Sequence, residues 1–251
     1  MAVVADPLSR TSPGWGQPVV ILGGFLIGAE AYRPMQDVII SRCGHSVDLV
    51  AVSRLEWMLT VLPQAWATIL DRVAEAVECA AEHSPTGKVT LVGHSSGGVM
   101  LRLFLDRSPF QGRCYDGRRR ANRLITLGSP HTALRATPLR RMVDRRLPGA
   151  FFNRDGDADS VHYVSVAGDL DLEEGTPLAR RMAPTAYRNS TGHALDAGDG
   201  LVPVASALLA GAESIVLPGV AHGGAFGDRW YGSPDVVNRW WGAPPEPPGS
   251  G

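Results

Sequence analysis

The chain is short of several things, and each shortage removes a class of function. It has three cysteines, Cys43, Cys79 and Cys114, widely spaced and odd in number. That is neither a disulfide framework nor a metal cluster, so reduced thiols in a cytoplasmic protein are the expectation. Charge of one sign is also missing: 24 Lys and Arg stand against 25 Asp and Glu, for a net charge of −1. No electrostatic case exists for nucleic acid as a main partner. No apolar run approaches the ~20 residues of a membrane span. Met1 to Gln17 contains Pro7, Pro13 and Gly14 but no apolar stretch of the kind a secretion signal needs. Residues 1–17 are read as an N-terminal extension, and the Pro- and Gly-rich run 242–251 as a disordered tail. There is no internal repeat.

What is present is the composition of a globular domain. Of 251 residues, 44% are hydrophobic and 20% charged, enough to bury one substantial core. Pro18 to Gly24 is a short apolar run, β-branched at its centre, which fits a strand buried on both faces. Further strands are expected near 47, 88, 123, 161 and 214. Helical spacing follows over Ala29–Cys43, Pro63–Glu82 and Pro234–Trp241; Trp66, Ile69, Leu70, Val73, Val77 and Ala80 form one stripe of the second. Strands alternating with helices mean βαβ units, hence an α/β domain over 18–241 with a mostly parallel sheet of about six strands and helices on both faces. Leu55, Trp57, Met58, Leu59 and Leu62 read as an apolar connector.

Two excursions break the alternation. Pro130 to Ser160 carries Arg135, Arg140, Arg141, Arg145 and Arg146 around Leu139, Met142, Val143 and Leu147. It is expected to be a small cap insertion with a short amphipathic helix. Its arginines are either a solvated helix face or a contact for anionic lipid at a membrane surface or for a phosphate group. Gly168 to Asp199 is a second, polar excursion.

Chemistry is concentrated at Val89 to Met100. Strand-like alternation runs into Gly93-His94-Ser95-Ser96-Gly97, and a helical apolar pattern follows. This is G-x-S-x-G in the context of strand, tight turn and helix. Glycines flank the turn because larger side chains would collide with neighbouring elements. The following helix turns its positive end toward the hydroxyl, which makes Ser95 a candidate nucleophile. A serine needs a base, and the base an orienting acid. In an α/β-hydrolase these follow the nucleophile in the order acid, then histidine. That order removes His45, His83 and His94. His131, in Gly-Ser-Pro-His, suits a pocket wall but comes too early for the base. His162 starts a strand, and His193 precedes the best acid. His222 remains, in a glycine-flanked loop behind the last strand. For the acid, the choice lies between Asp199, which opens Asp-Gly-Leu-Val-Pro, and the group Asp169 and Asp171, of which Asp169 follows its strand directly. Asp196 also competes, and the residues alone leave these open.

Several segments carry a resemblance. Val-Ser-Arg-Leu-Glu-Trp (52–57), Gly-His-Ser-Ser-Gly-Gly (93–98), Leu-Gly-Ser-Pro-His (127–131), Asp-Gly-Leu-Val-Pro (199–203), Gly-Val-Ala-His (219–222) and Trp-Tyr-Gly-Ser (230–233) resemble the α/β-hydrolase superfamily. The likeness is to its lipase-like branch of plants and cyanobacteria, with distant similarity to lecithin–cholesterol acyltransferase and inositol-deacylase-type lipases. It implies the α/β-hydrolase fold and Asp199 as the acid. It also implies oxyanion donors at the backbone N–H of Ser96 and of Phe25, where Gly23-Gly24-Phe25 stands in place of the His-Gly-x of many lipases.

The expected activity is that of a serine carboxylester hydrolase, esterase- or lipase-like, acting on a hydrophobic ester without metal or cofactor. Phe25, Leu26, Ile27, Trp57, Met58 and Leu59 would form the apolar wall of its pocket. The alternatives are a thioesterase or acyltransferase using the same residues, or a non-catalytic lipid-binding protein of the same fold. Oligomeric state is not legible.

Overall fold

The computed structural model describes residues 16–150 and 160–242. Most of the expected N-terminal extension, part of the Pro130–Ser160 excursion and nearly all of the expected tail lie outside the described residues. In chain order the elements are β1 (Val19–Leu22), a 3₁₀ turn (Ala29–Tyr32) running into α1 (Arg33–Cys43), β2 (Val47–Val50), α2 (Arg54–Leu59), α3 (Pro63–Glu82) and β3 (Val89–His94). Then come α4 (Ser96–Leu105), β4 (Ala121–Leu127), α5 (Pro138–Arg146), β5 (His162–Asp169), α6 (Pro177–Thr191), α7 (Val204–Ala207), β6 (Glu213–Pro218) and α8 (Pro234–Trp241).

The strands form one sheet in the order β2-β1-β3-β4-β5-β6, and every pairing is parallel. The apolar runs of the four inner strands fit this arrangement, because β1, β3, β4 and β5 are covered on both sides, while the edge strands β2 and β6 are partly exposed. In β1, Val19 and Ile21 pack with Met35 and Ile39 of α1 and Val236 and Trp240 of α8. Val20 and Leu22 turn the other way, onto Trp66, Leu70 and Val73 of α3 and Met100 and Leu103 of α4. The chain leaves β1 for β2 on one side and returns to β3 on the other. At such a switch point the loops after the two central strands diverge, and a crevice opens at their C-terminal ends.

Two helices were not expected. α2 replaces the apolar connector and begins in a capping box: Ser53 Oγ accepts from Glu56 N at 3.3 Å, while Glu56 Oε2 accepts from Ser53 N at 2.8 Å. α6 replaces the polar excursion; it starts on Thr176, ends on Gly192, and buries only Ala179, Ala183 and Tyr187.

The arginine-rich helix α5 is present, and three of its four arginines are engaged by the protein's own groups. Arg140 and Arg141 donate to the carbonyls of Pro130 (2.7 Å) and Ala136 (2.9 Å). Arg146 donates to Ser108 O (2.8 Å) and pairs with Asp106 (2.7 Å), while Val143 and Leu147 pack into the α3–α4 layer. Among the described residues no helix is long and apolar enough to cross a membrane, and all three cysteines are free thiols.

Candidate active site

Ser95 is the single residue between β3 and α4, held at φ 53 and ψ −124. Side chains avoid that region, and holding one there costs about 1–3 kcal/mol. Close packing supplies the constraint. A Cβ on Gly97 would lie 2.3 Å from the carbonyl oxygen of Leu22, and one on Gly93 would lie 2.4 Å from Gly98 Cα. Only glycine lets α4 press its first turn against the end of β1 and so set the hook on which Ser95 sits. The Ser95 amide donates to Leu127 O at 2.9 Å, tying the hook to β4 as well.

His222 lies in the turn after β6. Its Nε2 is 3.0 Å from Ser95 Oγ, and its Nδ1 is 2.8 Å from Asp199 Oδ2. A carboxylate only accepts, so Nδ1 carries a hydrogen; in the neutral ring Nε2 then presents a lone pair to the serine hydroxyl. A main-chain bond repeats the link, since His222 N donates to Asp199 O at 2.8 Å. Asp199 is wholly buried, and a buried charge must be met by donors. Its Oδ1 accepts from the amides of Leu201 (3.0 Å) and Val202 (2.7 Å), and its Oδ2 from Tyr231 Oη (2.9 Å) as well as His222. Of the four aspartates left open above, Asp199 is the one bonded to His222. Asp196 accepts from Thr191 Oγ1 instead, and Asp169 at the end of β5 engages Gly219 N through its main chain.

Tyr231 is a residue whose part the sequence did not reveal. It stands in the Trp-Tyr-Gly-Ser segment, which was the available signal, but no role attached to it. Its hydroxyl accepts from Gly168 N at 2.6 Å and donates to Asp199. Burial, then the charge of Asp199, push its pKa well above the ordinary phenol value, so it remains a donor.

The loop after β1 lies directly over the serine: a Cβ on Gly24 would be 2.9 Å from Ser95 Cβ. The amides of Phe25 and Ser96 are taken up by no loop or cap bond among the described residues. Phe25, Leu26 and Met58 are exposed, Met58 at 57%.

Two of the expected wall residues are buried. Trp57 is 1% exposed and meets Phe25 edge-on at 6.2 Å, a support beneath the loop, because α2 turns it into the core. His131 is buried behind β4, where Nδ1 accepts from Arg102 Nη1 (3.2 Å) and Nε2 meets Thr126 Oγ1 (3.1 Å), so both nitrogens are occupied. Burial, Arg102 and Arg140 hold its pKa well below the ordinary value, and the ring is neutral. Among the described residues no cluster of His, Cys, Asp or Glu is arranged to hold a metal ion.

A parallel sheet with its switch point between β1 and β3, a serine hook after β3, and an acid and histidine behind later strands together define an α/β-hydrolase fold. No family model and no curated protein matches the sequence. Solved structures do. An acetylxylan esterase is 15% identical with a TM-score of 0.35, the alignment covering 47% of this chain and 65%, less than two thirds, of that one. The gene lin2722 product of Listeria innocua is 14% identical with a TM-score of 0.48, covering 89% of this chain and 91% of the other. Thermogutta terrifontis esterase 2 is 14% identical with a TM-score of 0.47, covering 94% and 82%.

Proposed function

We propose that this protein is a serine carboxylester hydrolase that cleaves a hydrophobic, lipid-like ester through an acyl-enzyme on Ser95. One observation carries the reading: Ser95 Oγ, the His222 ring and Asp199 stand in a continuous hydrogen-bonded line of 3.0 and 2.8 Å. In this reading His222 Nε2 takes the hydroxyl proton as Ser95 attacks the ester carbonyl, and Asp199 stabilises the imidazolium. The amides of Ser96 and Phe25 face the oxyanion, a contact typically worth about 100–1000-fold in kcat per donor. The same proton then goes to the leaving alcohol, and a water activated by His222 releases the acid. The exposed Phe25, Leu26 and Met58 beside the loop support an apolar acyl group. Free thiols at Cys43, Cys79 and Cys114 support a reducing, cytoplasmic setting.

The test is labelling with a fluorophosphonate probe together with turnover of p-nitrophenyl esters of increasing chain length. Wild type should be labelled and should favour the longer acyl chains, and Ser95→Ala should lose both label and turnover. Undiminished turnover in Ser95→Ala would remove the nucleophile assignment, and preference for acetate would remove the hydrophobic substrate.

A further inference from the structure

His94, the residue inside the hook just before Ser95, is wholly buried and has both ring nitrogens engaged. Nε2 lies 2.9 Å from the main-chain carbonyl oxygen of His222, and Nδ1 lies 2.8 Å from Tyr32 Oη. A carbonyl only accepts, so Nε2 must carry a hydrogen. Burial first, then the neighbouring His222, hold the His94 pKa well below its ordinary value, so that hydrogen is the only one on the ring. Nδ1 is therefore a lone pair, and Tyr32 donates to it. The Tyr32 oxygen in turn accepts from Gly24 N–H at 2.7 Å.

Every bond in the chain has one permitted direction. Gly24 N–H gives to Tyr32, Tyr32 O–H to His94, and His94 Nε2–H to the carbonyl of His222. One end is the residue before Phe25, and the other is the main chain of the base. Packing holds the middle, because the His94 ring meets His222, Trp230, Tyr231 and Tyr32 at centroid distances of 4.9, 5.7, 5.7 and 5.8 Å.

We propose that His94 and Tyr32 are positioning residues, a single hydrogen-bonded strut that sets the oxyanion loop and the His222 loop relative to each other across Ser95. The proposal rests on the hydrolase reading above. It also accounts for how two histidines stand side by side without competing for the serine proton: the one lone pair of His94 is already occupied by Tyr32.

Tyr32→Phe deletes one oxygen from the strut. His94→Phe keeps an aromatic ring in the same packing and removes both the donor to the His222 carbonyl and the acceptor for Tyr32. Because the oxyanion contact tightens in the transition state, each variant should lower kcat about ten- to hundredfold with KM changed less than about threefold. The double variant should be no worse than the poorer single one, since either cut breaks the same chain. Losses that multiply in the double variant and track the fall in melting temperature would mean packing alone and overturn the strut, as would a kcat within twofold of wild type in Tyr32→Phe.

A second measurement needs no activity. Imidazole ¹⁵N spectra should show His94 as the Nε2–H tautomer, unchanged between about pH 5 and 8, with its Nδ1 resonance moved by Tyr32→Phe. A titrating or Nδ1–H ring would overturn the proposal whatever the enzyme does. Absence of phosphonate labelling in wild type would instead strike the hydrolase reading and leave the tautomer result to decide the strut.

Discussion

At the scale of single residues, the site depends on how Asp199 is satisfied. Four donors converge on its two oxygens, from Leu201, Val202, Tyr231 and His222. Tyr231→Phe removes one of them and leaves the buried Gly168 N–H without its acceptor. A loss of about 1–3 kcal/mol in unfolding free energy is expected, with kcat down about tenfold as His222 loosens on its anchor. Urea denaturation and ester turnover measure the two; wild-type values in both would show that Asp199 does not need the phenol. The meeting of Ser95 with His222 was legible because chain order is itself a constraint of this fold. Asp199 was not separable from Asp169 on the residues alone, and the geometry shows the reason. A Cβ on Gly168 would lie 2.3 Å from Val220 O and 3.0 Å from Asp199 Cβ, so the Asp199 loop folds back over the end of β5 to reach the histidine. Nothing in a linear spacing reports that return. His94 was set aside on order alone, because a hydrogen-bonding role in the interior leaves no pattern.

At the scale of elements, what was legible is what buries a wide apolar face. α3 and α8 were read to their ends, since α3 sets Trp66, Ile69, Leu70, Val73 and Val77 on the sheet and α8 sets Val236, Val237, Trp240 and Trp241. α2 and α6 were missed for the opposite reason. α2 is six residues long and buries only Trp57; Leu55, Met58 and Leu59 do follow i, i+3, i+4 spacing, but that stripe faces outward and is too short to register as a helix. α6 buries Ala179, Ala183 and Tyr187, a stripe too small to register, and carries Pro184 inside. The join of α4 to β1 is the element contact on which the hook depends. Gly97→Ala would drive a methyl into the carbonyls of Leu22 and Gly23, at 2.3 and 2.4 Å, neither of which is a flexible side chain that can move aside. The variant should lose about 1–3 kcal/mol or more and most of its phosphonate labelling, as α4 lifts and Ser95 leaves its geometry. A stable, fully labelled Gly97→Ala would show that the hook does not need this contact.

At the scale of the whole molecule, the switch point between β1 and β3 explains why groups far apart in sequence meet. The loop after β1 brings Gly24 and Phe25, the turn after β3 brings Ser95, and the loops behind β5 and β6 bring Asp199 and His222. The same burial that assembles the site sets how the protein responds to acid. His94 and His131 are neutral in the folded state, their pKa values held well below the ordinary 6.5 by burial, by His222 beside the first, and by Arg102 and Arg140 beside the second. In the unfolded chain both titrate normally, so below 6.5 the unfolded state takes up protons that the folded state refuses. Stability contributed by these two rings is therefore complete above that value and is lost as pH falls through it. Each ring contributes a slope of up to about 1.4 kcal/mol per pH unit, so the pair gives up to about 2.7. The carboxylates with lowered pKa, Glu56 by Ser53 and Asp235 by Arg229, start from 4.5 and 3.8 and act at lower pH, outside this window. Urea denaturation at about pH 7.5, 6 and 5 should show the decline beginning near 6.5, and His131→Gln should remove about half of its slope. A stability flat from pH 7 to 5 would mean that neither histidine is held neutral by the fold.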